Sequence, residues 1–164
     1  MNMDEGVFAQ TADPQDKTIL VVEVDKVQRE LYQKMLREQG FQVEAADSAE
    51  ATLEKAKTRK LDLILLEFYL PGKSGFEVLK ELQVVEGKST TILVWASRSV
   101  DDHLLAQIKR EPNVHDFISK STQLSVFVNM LHKILGTRPS AAPKTEDTGG
   151  FGRTTGGFGT KKGW

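Results

Sequence analysis

Leu63-Ile64-Leu65-Leu66 runs without a polar interruption straight into Glu67. Such a run, four apolar residues without alternation, has no face to offer to water. It reads as a strand buried on both sides, the central strand of the chain. A sheet covered on both faces is built from parallel strands joined by crossovers, because a two-residue hairpin can only reverse the chain. This segment therefore commits the chain to a layered α/β architecture, and it ends that strand on a carboxylate.

The flanking sequence repeats the pattern. Thr18–Val22 is a second unalternating apolar run, Phe41–Ala46 a third strand, Thr91–Ala96 a fourth and His115–Ser119 a short fifth. Between them lie segments with helical spacing. After Val22, Val27, Leu31, Met35 and Leu36 fall on one side and Arg29, Glu30, Lys34 and Arg37 on the other, until Gly40 stops the helix. Ser48 caps a helix that turns Ala49, Leu53 and Ala56 inward. Pro71-Gly72 makes a turn, and Ser74 with Glu77 three residues on has the form of a capping box before Phe76, Leu79 and Leu82. Asp101 opens a helix through Arg110, ended by Pro112. The final helix runs from about Thr122 to Leu135, with Leu124, Phe127, Val128, Leu131 and Leu135 facing in and Gly136 ending it.

Short connections and strict alternation of strand and helix imply a parallel sheet with right-handed crossovers. In such sheets ligands bind beyond the carboxyl ends of the strands. There the sequence places Glu23, Val24 and Asp25 after the first strand, Glu67 after the third, Ala96 and Ser97 after the fourth and Lys120 after the fifth. Three carboxylates and one ammonium thus converge on one end of the sheet. Alternation along the strand turns Ser97 away from the side that Ala96 faces.

Four segments now carry a specific resemblance: Ile19-Leu20-Val21-Val22-Glu23-Val24-Asp25, Asp62–Glu67, Leu70-Pro71-Gly72-Lys73-Ser74-Gly75-Phe76-Glu77 and Asp116-Phe117-Ile118-Ser119-Lys120. In order and spacing, over roughly residues 17–136, they resemble the receiver domain of two-component response regulators. The resemblance implies a flavodoxin-like (βα)5 three-layer sandwich with strand order 2-1-3-4-5. It also implies a site where an aspartate accepts a phosphoryl group from a histidine kinase beside Mg²⁺. At the matching positions, Glu67 stands for the acceptor aspartate, Glu23 for the first acid and Val24 for the second, normally a metal ligand. Ala96 stands for the switching Thr/Ser, Phe117 for the aromatic switch, and Ser121 for the proline after the lysine. Lys120 alone matches fully.

These departures describe a degenerate acceptor pocket made of Glu23, Val24, Asp25, Glu67, Ala96 and Lys120. Mg²⁺ requires near-octahedral oxygen ligation, and Val24 supplies no oxygen. Ala96 has no hydroxyl for a phosphoryl oxygen. Glu67 is expected either to pair with a half-buried Lys120 or to imitate, with one charge, the larger charge of a phosphoryl group. No metal or cofactor is expected. Family members commonly meet partners through helix 4, strand 5 and helix 5. Here that face, read as a switch and partner face, offers Trp95, Val100, Leu104, Ile108 and Phe117, with Leu105, Lys109 and His115 beside them; the chain could also pair with itself there.

Beyond Gly136 the composition changes. Residues 137–148 are rich in Pro, Ala and Thr, and a seven-residue repeat follows, Thr148-Gly149-Gly150-Phe151-Gly152-Arg153-Thr154 and Thr155-Gly156-Gly157-Phe158-Gly159-Thr160-Lys161. Glycine at this density opposes helix and core formation. The organisation expected is a flexible leader over residues 1–16, a pseudo-receiver domain over 17–136 and a flexible basic tail over 137–164, with Phe151, Phe158 and Trp164 as aromatic anchors.

Composition narrows the function. A formal net charge of -1 makes no case for nucleic-acid binding by the whole chain, and the absence of cysteine removes disulfides and thiolate chemistry. No stretch approaches the roughly 18 apolar residues of a membrane span, so a cytoplasmic protein is the default. No nucleophile has an orienting base, so no enzyme is expected. His103, His115 and His132 are scattered and not spaced as a metal set. The expectation is a receiver that cannot be phosphorylated, acting as an adaptor or localisation factor through a protein partner in a bacterial signalling or motility pathway. Two alternatives remain: an atypical single-domain response regulator that still accepts a phosphoryl group, and an RNA-associated protein working through its tail.

Overall fold

The computed structural model describes residues 11–86 and 90–139. The tail anchors Phe151, Phe158 and Trp164 lie outside the described residues. Five strands, β1 (Thr18–Val22), β2 (Gln42–Ala46), β3 (Leu63–Glu67), β4 (Thr91–Ala96) and β5 (Val114–Ser119), form one parallel sheet in the order β2-β1-β3-β4-β5. The helices are α1 (Lys26–Glu38), α2 (Ala49–Thr58), α3 (Gly75–Glu86), α4 (Asp102–Lys109) and α5 (Leu124–Leu135). This is the flavodoxin-like (βα)5 sandwich.

Strand alternation divides the core into two layers. Leu20, Val22, Ile64, Leu66, Val94 and Ala96 face one side and pack on Ala49, Val78, Leu79, Leu82 and Ile108 of α2, α3 and α4. Ile19, Val21, Leu63, Leu65, Leu93 and Trp95 face the other and pack on Met35, Leu36, Phe127 and Leu131 of α1 and α5. Every side chain of β3 is buried, which is why its sequence shows no alternation.

The helix boundaries follow local chemistry. Asp25, Ser48 and Asp101 cap α1, α2 and α4 by accepting from Gln28, Ala51 and Leu104 amides. The capping box before α3 is reciprocal: the Glu77 amide donates to Ser74 Oγ at 3.2 Å, and the Ser74 amide donates to Glu77 Oε2 at 2.9 Å. Gly136 ends α5 at φ 64°, a left-handed conformation that favours glycine.

Two helical stripes depart from expectation. Val27 and Leu31 were read as inward residues of α1, yet they are 75% and 61% exposed. Leu124 of α5 is likewise exposed. Val27 and Leu31 lie in the first half of α1, and Leu124 is the first residue of α5. A cleft of about 260 Å³ opens there, lined by Leu31 and Leu124 among others.

Residues 11–16, within the stretch read as a flexible leader, are tied to the domain. Pro14–Asp16 form a 3₁₀ turn capped by Asp13, and the Ala12 amide donates to Gly136 O at 2.9 Å. Among the described residues, no helix is long and apolar enough to cross a membrane.

Candidate functional site: the crevice at the carboxyl ends of the strands

The register of the sheet brings β1, β3, β4 and β5 to the same edge. Glu23 follows β1, Glu67 ends β3, and Lys120 follows β5 with its amide bonded to Ala96 O at 2.9 Å. Glu23 and Glu67 are buried, and the Lys120 side chain is 10% exposed. Lys120 Nζ lies 2.5 Å from Glu23 Oε2 and also bridges Glu67 Oε2. One ammonium is therefore shared between two carboxylates, where the sequence had paired it with Glu67 alone. Burial of the ammonium, the largest influence on it, pulls its pKa down. The hydrogen bonds to Glu23 and Glu67 outweigh that effect and hold the pKa above the ordinary lysine value.

The remaining carboxylate oxygens are also engaged. Glu23 Oε1 accepts from the Asp25 amide at 3.3 Å, and Glu67 Oε1 accepts from the Tyr69 amide at 2.9 Å. Asp25 Oδ1 is committed to capping α1 at 2.8 Å. Val24 lines the crevice and has no side-chain oxygen to contribute. The loop between β1 and α1 is held in this form by Arg29, whose Nη1 donates to Glu23 O at 2.9 Å and Val24 O at 3.1 Å.

Mg²⁺, which the receiver family implies, does not fit these donors. It needs several free oxygens at about 2.0–2.1 Å. All four oxygens of Glu23 and Glu67 already accept hydrogen bonds, two of them from the ammonium that occupies the space between the carboxylates.

Ala96 is buried against the α2–α4 layer and offers no hydroxyl. Ser97, the first residue after β4, is exposed at the rim of the crevice. Arg98 stacks over the Tyr69 ring at 4.3 Å, and Tyr69 Oη donates to Ser99 O at 3.2 Å, closing the crevice on the β4 side.

The group read as a switch and partner face divides. Val100, Leu104 and Phe117 are partly buried against the α2–α4 layer. Ile108 is fully buried and belongs to the core. Trp95 is 2% exposed and lies on the opposite face of the sheet, because neighbouring strand residues point to opposite sides. Its ring stacks on Phe127 at 5.6 Å, approaches Tyr32 at 4.3 Å and carries Lys120 Nζ 5.1 Å from its centre. The pKa of Tyr32 is raised, first by burial, against the lowering influence of Lys120 and with the Glu23 and Glu67 charges reinforcing it. Sequence reasoning missed Tyr32, Arg29 and Arg98. For Arg29 and Arg98 no short-range signal distinguishes a buttress from a surface cation; Tyr32 lies one residue beyond Leu31 on the inward stripe and was readable.

The response regulator receiver domain model matches residues 19–132. The chain belongs to this family. Receiver-containing relatives include a cyclic di-GMP phosphodiesterase of Thermotoga maritima, 30% identical over 109 residues, covering 66% of this chain and 28% of that protein. The alkaline phosphatase synthesis transcriptional regulatory protein PhoP of Bacillus subtilis is 30% identical, covering 80% of this chain and 53% of PhoP. The chain thus spans between about a quarter and somewhat over half of the curated relatives it matches. Among solved structures, the response regulator TrrA of Thermotoga maritima in complex with Mg²⁺-BeF superposes with a TM-score of 0.63 at 26% identity, covering 73% of this chain and 99% of TrrA. The non-phosphorylated HemR receiver domain of Leptospira biflexa gives a TM-score of 0.64 at 23% identity, covering 76% and 99%.

Proposed function

We propose that this receiver domain does not take a phosphoryl group and acts by protein–protein contact, as an adaptor or localisation factor in a signalling or motility pathway. The observation that carries this reading is that every oxygen of the two carboxylates is engaged: Lys120 is shared by Glu23 and Glu67, and each carboxylate places its other oxygen on a backbone amide. Attack on a phosphoryl donor would require a Glu67 oxygen to leave a buried bond. The product would then carry about -1.5 to -2 charges into a site with no Mg²⁺ ligand set and no hydroxyl at Ala96.

Contact with a partner has a surface to use. Val100, Leu104 and Phe117 stand on α4, β5 and the preceding loop, backed by the fully buried Ile108. A rigid support of this kind presents the same face at all times, which suits a constitutive adaptor better than a switch.

The test is a titration of the full chain with Mg²⁺ and beryllofluoride, a phosphoryl mimic, followed by amide resonances. The expected result is no saturable shift at Glu23, Asp25 or Glu67 at low-millimolar metal. Saturable shifts centred on those residues would overturn the proposal.

A further inference from the structure

The cleft between α1 and α5 is a second site, on the opposite face of the sheet from Phe117. Trp95 forms part of its floor with Tyr32, Ile118 and Phe127, and Leu31 and Leu124 lie exposed among its lining residues. Its volume of about 260 Å³ is below the range typical of small-molecule pockets. That size suits a single aromatic side chain. Trp95 Nε1 is buried and has no hydrogen-bond partner among the described residues. A buried N–H normally finds an acceptor.

We propose that this cleft binds the chain's own glycine–phenylalanine repeat, with the ring of Phe151 or Phe158 seated between Leu31 and Leu124. Geometry supports this occupant. The cleft opens at Leu124, the first residue of α5, and the twelve residues of that helix put its other end about 18 Å away. Twelve residues separate Pro139 from Phe151, and nineteen separate it from Phe158. Chains of those lengths without regular structure span on average about 19 Å and about 24 Å. Tethered binding requires a linker able to span the distance to be bridged, and Phe151 and Phe158 are both within reach.

Chemistry supports it as well. Glycines on both sides of each phenylalanine let the backbone approach the helices without side-chain collision. Residues 137–164 carry five Lys and Arg against two Asp and Glu, while residues 1–136 carry seventeen against twenty-one. Tail and domain therefore attract each other overall. The two repeats are interchangeable occupants, so one cleft is offered two rings at high local concentration.

The experiment compares the full chain with its F151A/F158A variant by methyl and indole NMR. Both substitutions lie outside the described residues, and far-ultraviolet circular dichroism of the variant checks that its fold is kept. The expected result is contacts from the phenylalanine rings to the Leu31 and Leu124 methyl groups in the natural chain. The Trp95 indole resonance should also differ between the two proteins, independently of protein concentration. A synthetic peptide of residues 148–160 added to the variant should restore the natural resonance, with half-saturation on the order of 0.1–1 mM. At an effective tethered concentration of about a millimolar, such affinity is enough to fill the cleft in the intact chain. Identical Leu31, Leu124 and Trp95 resonances in the two proteins would overturn the proposal. So would shifts that grow with concentration alongside a doubled mass, which would make a second copy the occupant.

Discussion

Lys120→Met is the substitution that most directly weighs the crevice. It removes the ammonium that lies between two buried carboxylates and leaves the methylene stem in place. Glu23 and Glu67 each keep one backbone amide, but neither keeps a counter-charge, and they now face each other as like charges. Breaking a buried ion pair by removing one partner costs about 3–5 kcal/mol. The 10% exposure of Lys120 places the site near the buried end of that scale. A domain of this size has about 5–15 kcal/mol in total, so the variant should fold but lose a large fraction of its stability. The triple variant Glu23→Gln, Glu67→Gln, Lys120→Met should recover most of the loss, since it removes all three charges together. Urea denaturation followed by far-ultraviolet circular dichroism measures each quantity. A deficit below about 1 kcal/mol at pH 7, the value of an exposed pair, would refute the reasoning, as would a triple variant that recovers none of it.

Other substitutions probe the account at separate points. Glu67→Asp alone should leave the chain unable to take a phosphoryl group from acetyl phosphate, because Val24 and Ala96 are unchanged; a triple variant with Val24→Asp and Ala96→Thr added should gain acceptance, read by intact mass. Gly75→Ala should cost about 1–3 kcal/mol and lower the melting temperature by several degrees. Its new Cβ would lie 2.6 Å from the Phe68 carbonyl oxygen and 2.8 Å from the Phe68 Cα, where the backbone cannot give way. His132 is buried, with Nδ1 on Thr137 Oγ1 at 2.7 Å and Nε2 on Gln39 Oε1 at 3.2 Å, and burial lowers its pKa. Its contribution to stability is therefore full above the ordinary value of 6.5 and is lost as the pH falls through the lowered one. Denaturation midpoints should fall more steeply between about pH 7.5 and 5 in the natural chain than in His132→Gln.

The layered fold was legible because it depends on periodicity. An apolar run such as Leu63–Leu66 that never alternates has one interpretation, and the glycines and capping residues mark where helices start and stop. The convergence of Glu23, Glu67 and Lys120 was equally legible, since all three directly end or follow parallel strands. What the sequence concealed depends on direction and sharing. Lys120 bridges two carboxylates rather than one because Glu23 and Glu67 are both long enough to reach it, and nothing local to any of the three residues states that. β4 stops at Ala96, one residue before Ser97, and boundaries at that precision are not written in propensity. Val27, Leu31 and Leu124 carry the spacing of buried residues, yet they stand exposed, because what covers a helical stripe is set by the packing of neighbouring elements and not by the helix alone. Trp95 and Phe117 were grouped by their nearness to the switch position, whereas the pleat sends them to opposite faces.

The central claim is that the engagement of every oxygen of the two carboxylates keeps Glu67 from accepting a phosphoryl group. Intact mass spectrometry of the full chain after incubation with acetyl phosphate and Mg²⁺ tests it most directly. The account requires the mass to remain that of the unmodified chain. A gain of one phosphoryl group that disappears in Glu67→Gln would contradict it.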